Sequence, residues 1–151
     1  MAKIRRIVVH CTGDPADARR NREYFRRFFF ETKGWKHFGY HAVVYQNGTW
    51  EMLQQLPEVR ADGGYIDNAT LANGAAGYNW DSLHIAYVGG CVGADHRPAD
   101  TRTAEQKKTL RALISLWKAS YKISIVVGHR DLPNVKKACP CFDAIKAYAN
   151  A

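Results

Sequence analysis

The sequence predicts an α/β protein, a single domain in which a mixed central β-sheet is flanked by helices. Three observations predict it. Short apolar runs suited to buried strands recur at Ile7-Val8-Val9, at Leu83 to Val88 and at Ile123 to Val127. Stretches with helical spacing of apolar residues lie between and after them. Two further strand-like segments flank Asn47-Gly48, the strongest short hairpin signal. The resulting order, β-α-β-β-β-α-β-α, is that of a sheet covered by helices.

Each element has its own reason. Ile4 to His10 reads as the first strand, and Asp14-Pro15 turns the chain. Residues from about Asp17 to Lys33 read as a helix, with Tyr24, Phe25, Phe28 and Phe29 on one stripe and Gly34 ending it. Tyr40 to Gln46 and Thr49 to Leu53 form the hairpin. Pro57 to Asn79, rich in Gly, Asn and Ala, reads as a long surface loop, and such loops in small domains are more often functional than idle. Leu83 to Val88 is a buried strand, followed by a loop to Thr101. Thr103 and Gln106 make a capping box for a helix running to about Ser120, with Leu110, Leu113, Ile114 and Trp117 on one face. Ile123 to Val127 is another strand, Gly128 to Pro140 a loop, and Phe142 to Ala149 a short last helix. No repeat, low-complexity stretch or Pro/Ser linker divides the chain, so residues 1–151 read as one domain.

Composition narrows the function classes. A chain of 151 residues can bury roughly two-thirds of its unfolded surface. At 46% hydrophobic and 24% charged residues it has the balance of a soluble globular protein, and no segment is long and apolar enough to span a membrane. The run from Ile4 to Val9 is broken by Arg5 and Arg6, and no small-residue cleavage site follows. This predicts synthesis in the cytoplasm without a signal peptide, so that work outside the cell needs another route of release. The net charge of +8 favours a polyanionic partner, either nucleic acid or an acidic cell-wall surface. Arg19, Arg20, Arg22, Arg26 and Arg27 fall on one predicted helix, whose plain reading is a solvated face. Four cysteines, unevenly placed, do not make a secreted disulfide framework and are expected as thiols.

Zinc enzymes hold the metal with three ligands from His, Cys, Asp or Glu and leave a fourth position open. His10 closes the first predicted strand, His129 closes the last, and Cys139 follows ten residues later. Strand ends present side chains to a crevice, so these three converge if the first and last strands are neighbours. Spacing leaves open whether they are ligands or packing residues, and whether Cys139 or Cys141 supplies the thiol. Cys11, next to His10 on a strand, points to the opposite face and is expected in the core. His41 is expected to point away from the side of Tyr40. Cys91 has no assignment, and His37 and His96 lie in loops without a partner in view.

Six segments stand out together: Ile7 to Thr12, Gly39-Tyr40-His41, Gly77-Tyr78-Asn79 with Ser82, Val88-Gly89-Gly90, Gly128 to Leu132, and Lys137-Ala138-Cys139-Pro140 with Phe142-Asp143. In combination they resemble the zinc-dependent N-acetylmuramoyl-L-alanine amidases, the family of the amidase-type phage lysozymes and the peptidoglycan recognition proteins. The match runs in register from residue 4 to about 146. The resemblance implies zinc held by His10, His129 and Cys139, with Tyr40 and Lys137 assisting catalysis and Cys141 left as a small buried hydrophobe. The implied reaction is hydrolysis of the amide between N-acetylmuramic acid and L-alanine of the peptidoglycan stem, a bacteriolytic activity of a monomer acting on the cell wall. Two departures stand out. Relatives often carry a histidine just before the Gly-Tyr-Asn segment, where this chain has Asn73-Gly74-Ala75-Ala76. His84 stands where relatives usually carry a small residue.

Two other functions compete. A non-catalytic peptidoglycan-binding module lacks the cysteine ligand, which this chain keeps. A regulator of a nucleic-acid enzyme fits the +8 charge, yet no aromatic-basic stacking motif or zinc-finger spacing supports it as the main role.

Overall fold

The computed structural model describes residues 1–151. Ten strands are distributed along the chain: β1 (Ala2–Lys3), β2 (Arg6–Cys11), β3 (Asp14–Pro15), β4 (Ala42–Val44), β5 (Trp50–Met52), β6 (Tyr65–Ile66), β7 (Ser82–Tyr87), β8 (Gly90–Val92), β9 (Arg97–Pro98) and β10 (Ile125–Gly128). Three α-helices accompany them: α1 (Arg22–Arg26), α2 (Ala104–Tyr121) and α3 (Ala144–Ala147). The central sheet has the order β10-β2-β7-β4-β5. Its first four strands are parallel, and β5 closes one edge antiparallel to β4. The sheet is thus mixed, as expected, and the first and last long strands are neighbours.

Side-chain alternation divides the interior in two. Ile7, Val9 and Cys11 of β2, Ala42 and Val44 of β4, and Leu83, Ile85 and Tyr87 of β7 face α2 and the C-terminal segment. There they meet Leu110, Leu113, Ile114 and Trp117, the predicted stripe of α2. The capping box is present: Thr103 Oγ1 accepts from the Gln106 amide, and Gln106 Oε1 accepts from that of Thr103. Gln106 is fully buried, and its Nε2 donates to the carbonyls of Val44 and Val88, tying the helix start to the sheet. On the other face Val43 and Val88 pack with Phe25, Phe29, Phe38 and Leu53.

Several elements differ from expectation. The first helix does not begin near Asp17. It starts at Arg22, where the Asn21 side chain accepts from the Tyr24 amide, because Asp14–Pro15 is drawn into a small sheet with β8 and β9. From Arg27 to Thr32 the chain widens into a π-helical turn, and Phe28, Phe29 and Phe30 all reach the second apolar cluster. Arg19 and Arg20 therefore lie before the helix. The basic face is also largely paired, Arg20 with Asp14, Arg26 with Glu23 and Glu31, and Arg27 with Glu23. Arg22 donates to the carbonyls of Met52 and Leu53. The hairpin at Asn47-Gly48 forms, but only Ala42–Val44 and Trp50–Met52 are strand, leaving Tyr40 outside it. The predicted loop from Pro57 to Asn79 contains β6, which pairs with β1. The last helix is one turn, capped by Asp143. No helix is long and apolar enough to cross a membrane.

Candidate active site

The carboxyl ends of β2 and β10 lie side by side, and crevices beyond the carboxyl ends of parallel strands are where such sheets bind ligands. His10 is the penultimate residue of β2. His129 opens a single turn of 3-10 helix just after β10, where Asp131 Oδ2 accepts the Gly128 amide at 2.7 Å. Cys139 arrives from the following loop. Its carbonyl accepts from the Arg130 amide at 2.8 Å, and the next carbonyl, of Pro140, accepts from the buried Tyr87 hydroxyl at 2.7 Å. Gly128 makes this closeness possible, since a Cβ there would stand 2.7 Å from Pro140 Cδ. The segments that carry His129 and Cys139 are thereby locked together.

The donor atoms of His10, His129 and Cys139 all lie within 4.8 Å of one another, a group that can hold a metal ion. Cys141 is not in the group. Its backbone is left-handed, with φ of 72°, and its Sγ lies 3.9 Å from that of Cys11 and 3.4 Å from the Gly90 carbonyl. It is half-buried rather than enclosed. Cys11 is in the core on the opposite face from His10, as alternation requires.

The electrostatics suit metal binding. Burial, then the neighbouring His129 and Lys137, push His10 well below the usual imidazole range. His129 is lowered by burial and then by Lys137. Both rings are therefore neutral at pH 7 and offer lone pairs. Hydrogen bonds from Cys11 hold the Cys139 thiol below its usual range against the opposing effect of burial, favouring the thiolate that a cation needs. The Cys11 amide lies 3.2 Å from Cys139 Sγ. Two imidazoles and one thiolate are donor chemistry that would suit a catalytic zinc ion.

A cleft of about 280 Å³ opens over this group. Tyr40 and Lys137 line it, together with Phe28, Phe29 and Trp35, and it continues past His129 into a wider groove walled by Tyr78 and Pro133 to Lys137. The Tyr40 ring centroid is 5.3 Å from that of His10 and 5.5 Å from that of Phe29. Burial first, then the Cys139 sulfur, raises the Tyr40 phenol well above its ordinary value, so it remains a proton donor. Lys137 is exposed at the cleft mouth.

Sequence reasoning missed one feature of this site and left a second, already singled out, without a role. The aromatic wall was hidden because Phe28, Phe29 and Trp35 read as ordinary helix and loop residues. The second feature is His84, whose Nδ1 lies 2.8 Å from His10 Nε2. A fully buried histidine in an otherwise apolar strand was the available signal. His41 is also here, contrary to expectation. Tyr40 lies outside the strand, so alternation does not separate the two; the His41 amide donates to the His84 carbonyl at 2.9 Å, and the two rings stack. Cys91 Sγ and His96 Nδ1 lie 3.7 Å apart, so His96 does have a neighbour.

Comparison with known proteins agrees with the geometry. The family model described as N-acetylmuramoyl-L-alanine amidase matches residues 1–142. The endolysin of Klebsiella phage KP32 is 29% identical over 137 residues, covering 91% of this chain and 80% of that protein. Among solved structures, the Ph2119 endolysin from Thermus scotoductus MAT2119 bacteriophage Ph2119 superposes with a TM-score of 0.70 at 26% identity, covering 99% of this chain and 84% of that one. The N-acetylmuramoyl-L-alanine amidase LysC from Clostridium intestinale URNW shares the fold, with a TM-score of 0.69 at 21% identity over 94% of this chain and 79% of that chain.

Proposed function

Since the chain belongs to the N-acetylmuramoyl-L-alanine amidase family and is a peptidoglycan amidase, we propose that it works as a monomeric zinc enzyme on the bacterial cell wall. The metal is held by His10, His129 and Cys139. The bond cut joins the lactyl group of N-acetylmuramic acid to L-alanine. The observation that carries this reading is the convergence of those three donors within 4.8 Å at the ends of adjacent parallel strands.

When bound, zinc supplies a nucleophile at neutral pH by acidifying water, and it polarises the scissile carbonyl. The chain's own residues do the rest. The stem peptide lies along the groove past Tyr78 and Lys137, and the apolar wall of Phe28, Phe29 and Trp35 keeps bulk water from the reacting carbonyl. As the carbonyl oxygen gains charge, the Tyr40 hydroxyl donates a hydrogen bond to it. One such preorganised donor is typically worth ~3 kcal/mol. The leaving amine of L-alanine needs a proton. Lys137, exposed at the cleft mouth, delivers that proton from Nζ.

Digestion of purified cell walls tests the proposal. New N-terminal L-alanine should appear without new reducing sugar, a chelator should stop it, and zinc should restore it. Release of reducing ends instead, or unchanged digestion after metal removal, would refute it. Sedimentation of the purified protein tests the monomer.

A further inference from the structure

We propose that His84 is a positioning residue for His10, setting from the neighbouring strand which nitrogen of that ring faces the metal; the inference rests on the ligand set proposed above. The geometry divides the His10 ring between two partners. Its Nδ1 faces Cys139 Sγ at 3.8 Å, and its Nε2 faces His84 Nδ1 at 2.8 Å. A nitrogen that ligates a cation must present a lone pair, so a neutral His10 ligating through Nδ1 carries its proton on Nε2. His84 Nδ1 accepts that proton's hydrogen bond. Were the proton of His84 on Nδ1 instead, His10 would hold its own on Nδ1 and turn an N–H toward Cys139.

The surroundings hold His84 in the required orientation. Its backbone N–H donates to His41 Nδ1 at 3.0 Å, and His41 Nε2 donates to the Thr70 carbonyl at 2.7 Å. The His41 ring lies nearly parallel to that of His84, at 6°. Gly74 closes the other side: a Cβ there would stand 2.7 Å from His84 Cγ and 2.8 Å from the Gly39 carbonyl oxygen. The register pairs His10 with Ala86, and that small side chain leaves room for the imidazole reaching over from His84. His84 is 0% exposed, and its Nε2 has no hydrogen-bond partner. For stability alone an apolar residue of similar size would serve this position better, because no polar atom would be left unpaired. Orienting a ligand histidine through its second nitrogen gives the polar ring a purpose.

The test compares His84→Leu and His84→Gln with the full-length wild type, reading zinc affinity by competition with a chromophoric chelator. His84→Leu should weaken zinc binding by ~10–100-fold while the metal-free protein unfolds at an unchanged or higher temperature. His84→Gln, whose amide oxygen can accept from His10 Nε2, should recover most of the loss. The visible spectrum of the cobalt-substituted protein should shift in the Leu variant and return in the Gln variant. Gly74→Ala, which crowds the ring, should weaken binding in the same direction. Wild-type affinity in His84→Leu, or a Gln variant no better than Leu, overturns the proposal. If the variants do not fold, 15N spectra of the zinc-loaded wild type decide: His84 must carry its proton on Nε2, and a proton on Nδ1 overturns it. Cys139→Ser separates the two levels of argument. If that variant keeps its zinc, the ligand set is wrong and this inference falls with it; if it loses zinc while His84→Leu does not, only this inference fails.

Discussion

Replacing the two neighbouring cysteines one at a time gives the sharpest check on the ligand set. The perturbations are Cys139→Ser and Cys141→Ser, each removing one thiol. Cys139 and His10 stand 129 positions apart in the chain, so the donor group exists only in the folded state and metal binding adds directly to folding stability. With free zinc at ~100 times its dissociation constant, that linkage is worth about 2.7 kcal/mol. For a chain of this size, this corresponds to a rise of roughly 5–11 °C in unfolding temperature. Calorimetric scans with and without zinc should show this rise in the wild type and in Cys141→Ser, whose sulfur faces Cys11 and Gly90 instead of the histidines. Cys139→Ser should show almost none, and should carry no zinc after dialysis. If Cys141→Ser lost the shift while Cys139→Ser kept it, the geometric assignment of the thiol would be wrong.

The other expectations follow from single contacts. Tyr40→Phe keeps the ring packed on Phe29 but removes the donor, so zinc content should be unchanged and kcat on a soluble muropeptide should fall by ~100-fold or more; a wild-type rate removes Tyr40 from the mechanism. Lys137→Ala should likewise bind zinc and lose turnover, and full activity would leave the proton to another group. Gly128→Ala drives a methyl against Pro140, so it should cost ~1–3 kcal/mol on denaturant unfolding and weaken zinc binding together; loss of one without the other would contradict the shared support of both ligand segments. Burial depresses His41 to about 4 despite its bond to Thr70. A histidine with a lowered folded value stabilises the fold above its unfolded value near 6.5 and loses that contribution as pH falls toward 4, here ~3 kcal/mol in all. Urea titrations of the metal-free protein between pH 7 and 4 should show this decline, and a flat profile would refute it.

The amino-acid order alone carried the fold class, the hairpin at Asn47-Gly48, the Thr103–Gln106 capping box and the apolar stripe of α2, because each depends on residues a few positions apart. It also singled out His10, Tyr40, His129, Lys137 and Cys139 as candidates, through the resemblance carried by the segments around them. What it did not determine is everything that depends on distant segments meeting. Whether Cys139 or Cys141 joins the histidines depends on the Tyr87 and Arg130 contacts that shape the loop and on a left-handed backbone at Cys141. The start of α1 depends on Asp14–Pro15 being taken up by β8, a pairing with no local signal. The basic residues near α1 looked free in sequence, yet Glu23, Glu31 and Asp14 come within pairing distance only once the helix and its flanks are built. His84 is the clearest case. Nothing near it in sequence explains a histidine in a buried strand, whereas the register of β2 against β7, the missing side chain at Gly74 and the second nitrogen of His10 together do, because hydrogen bonding and close packing act through space across the sheet.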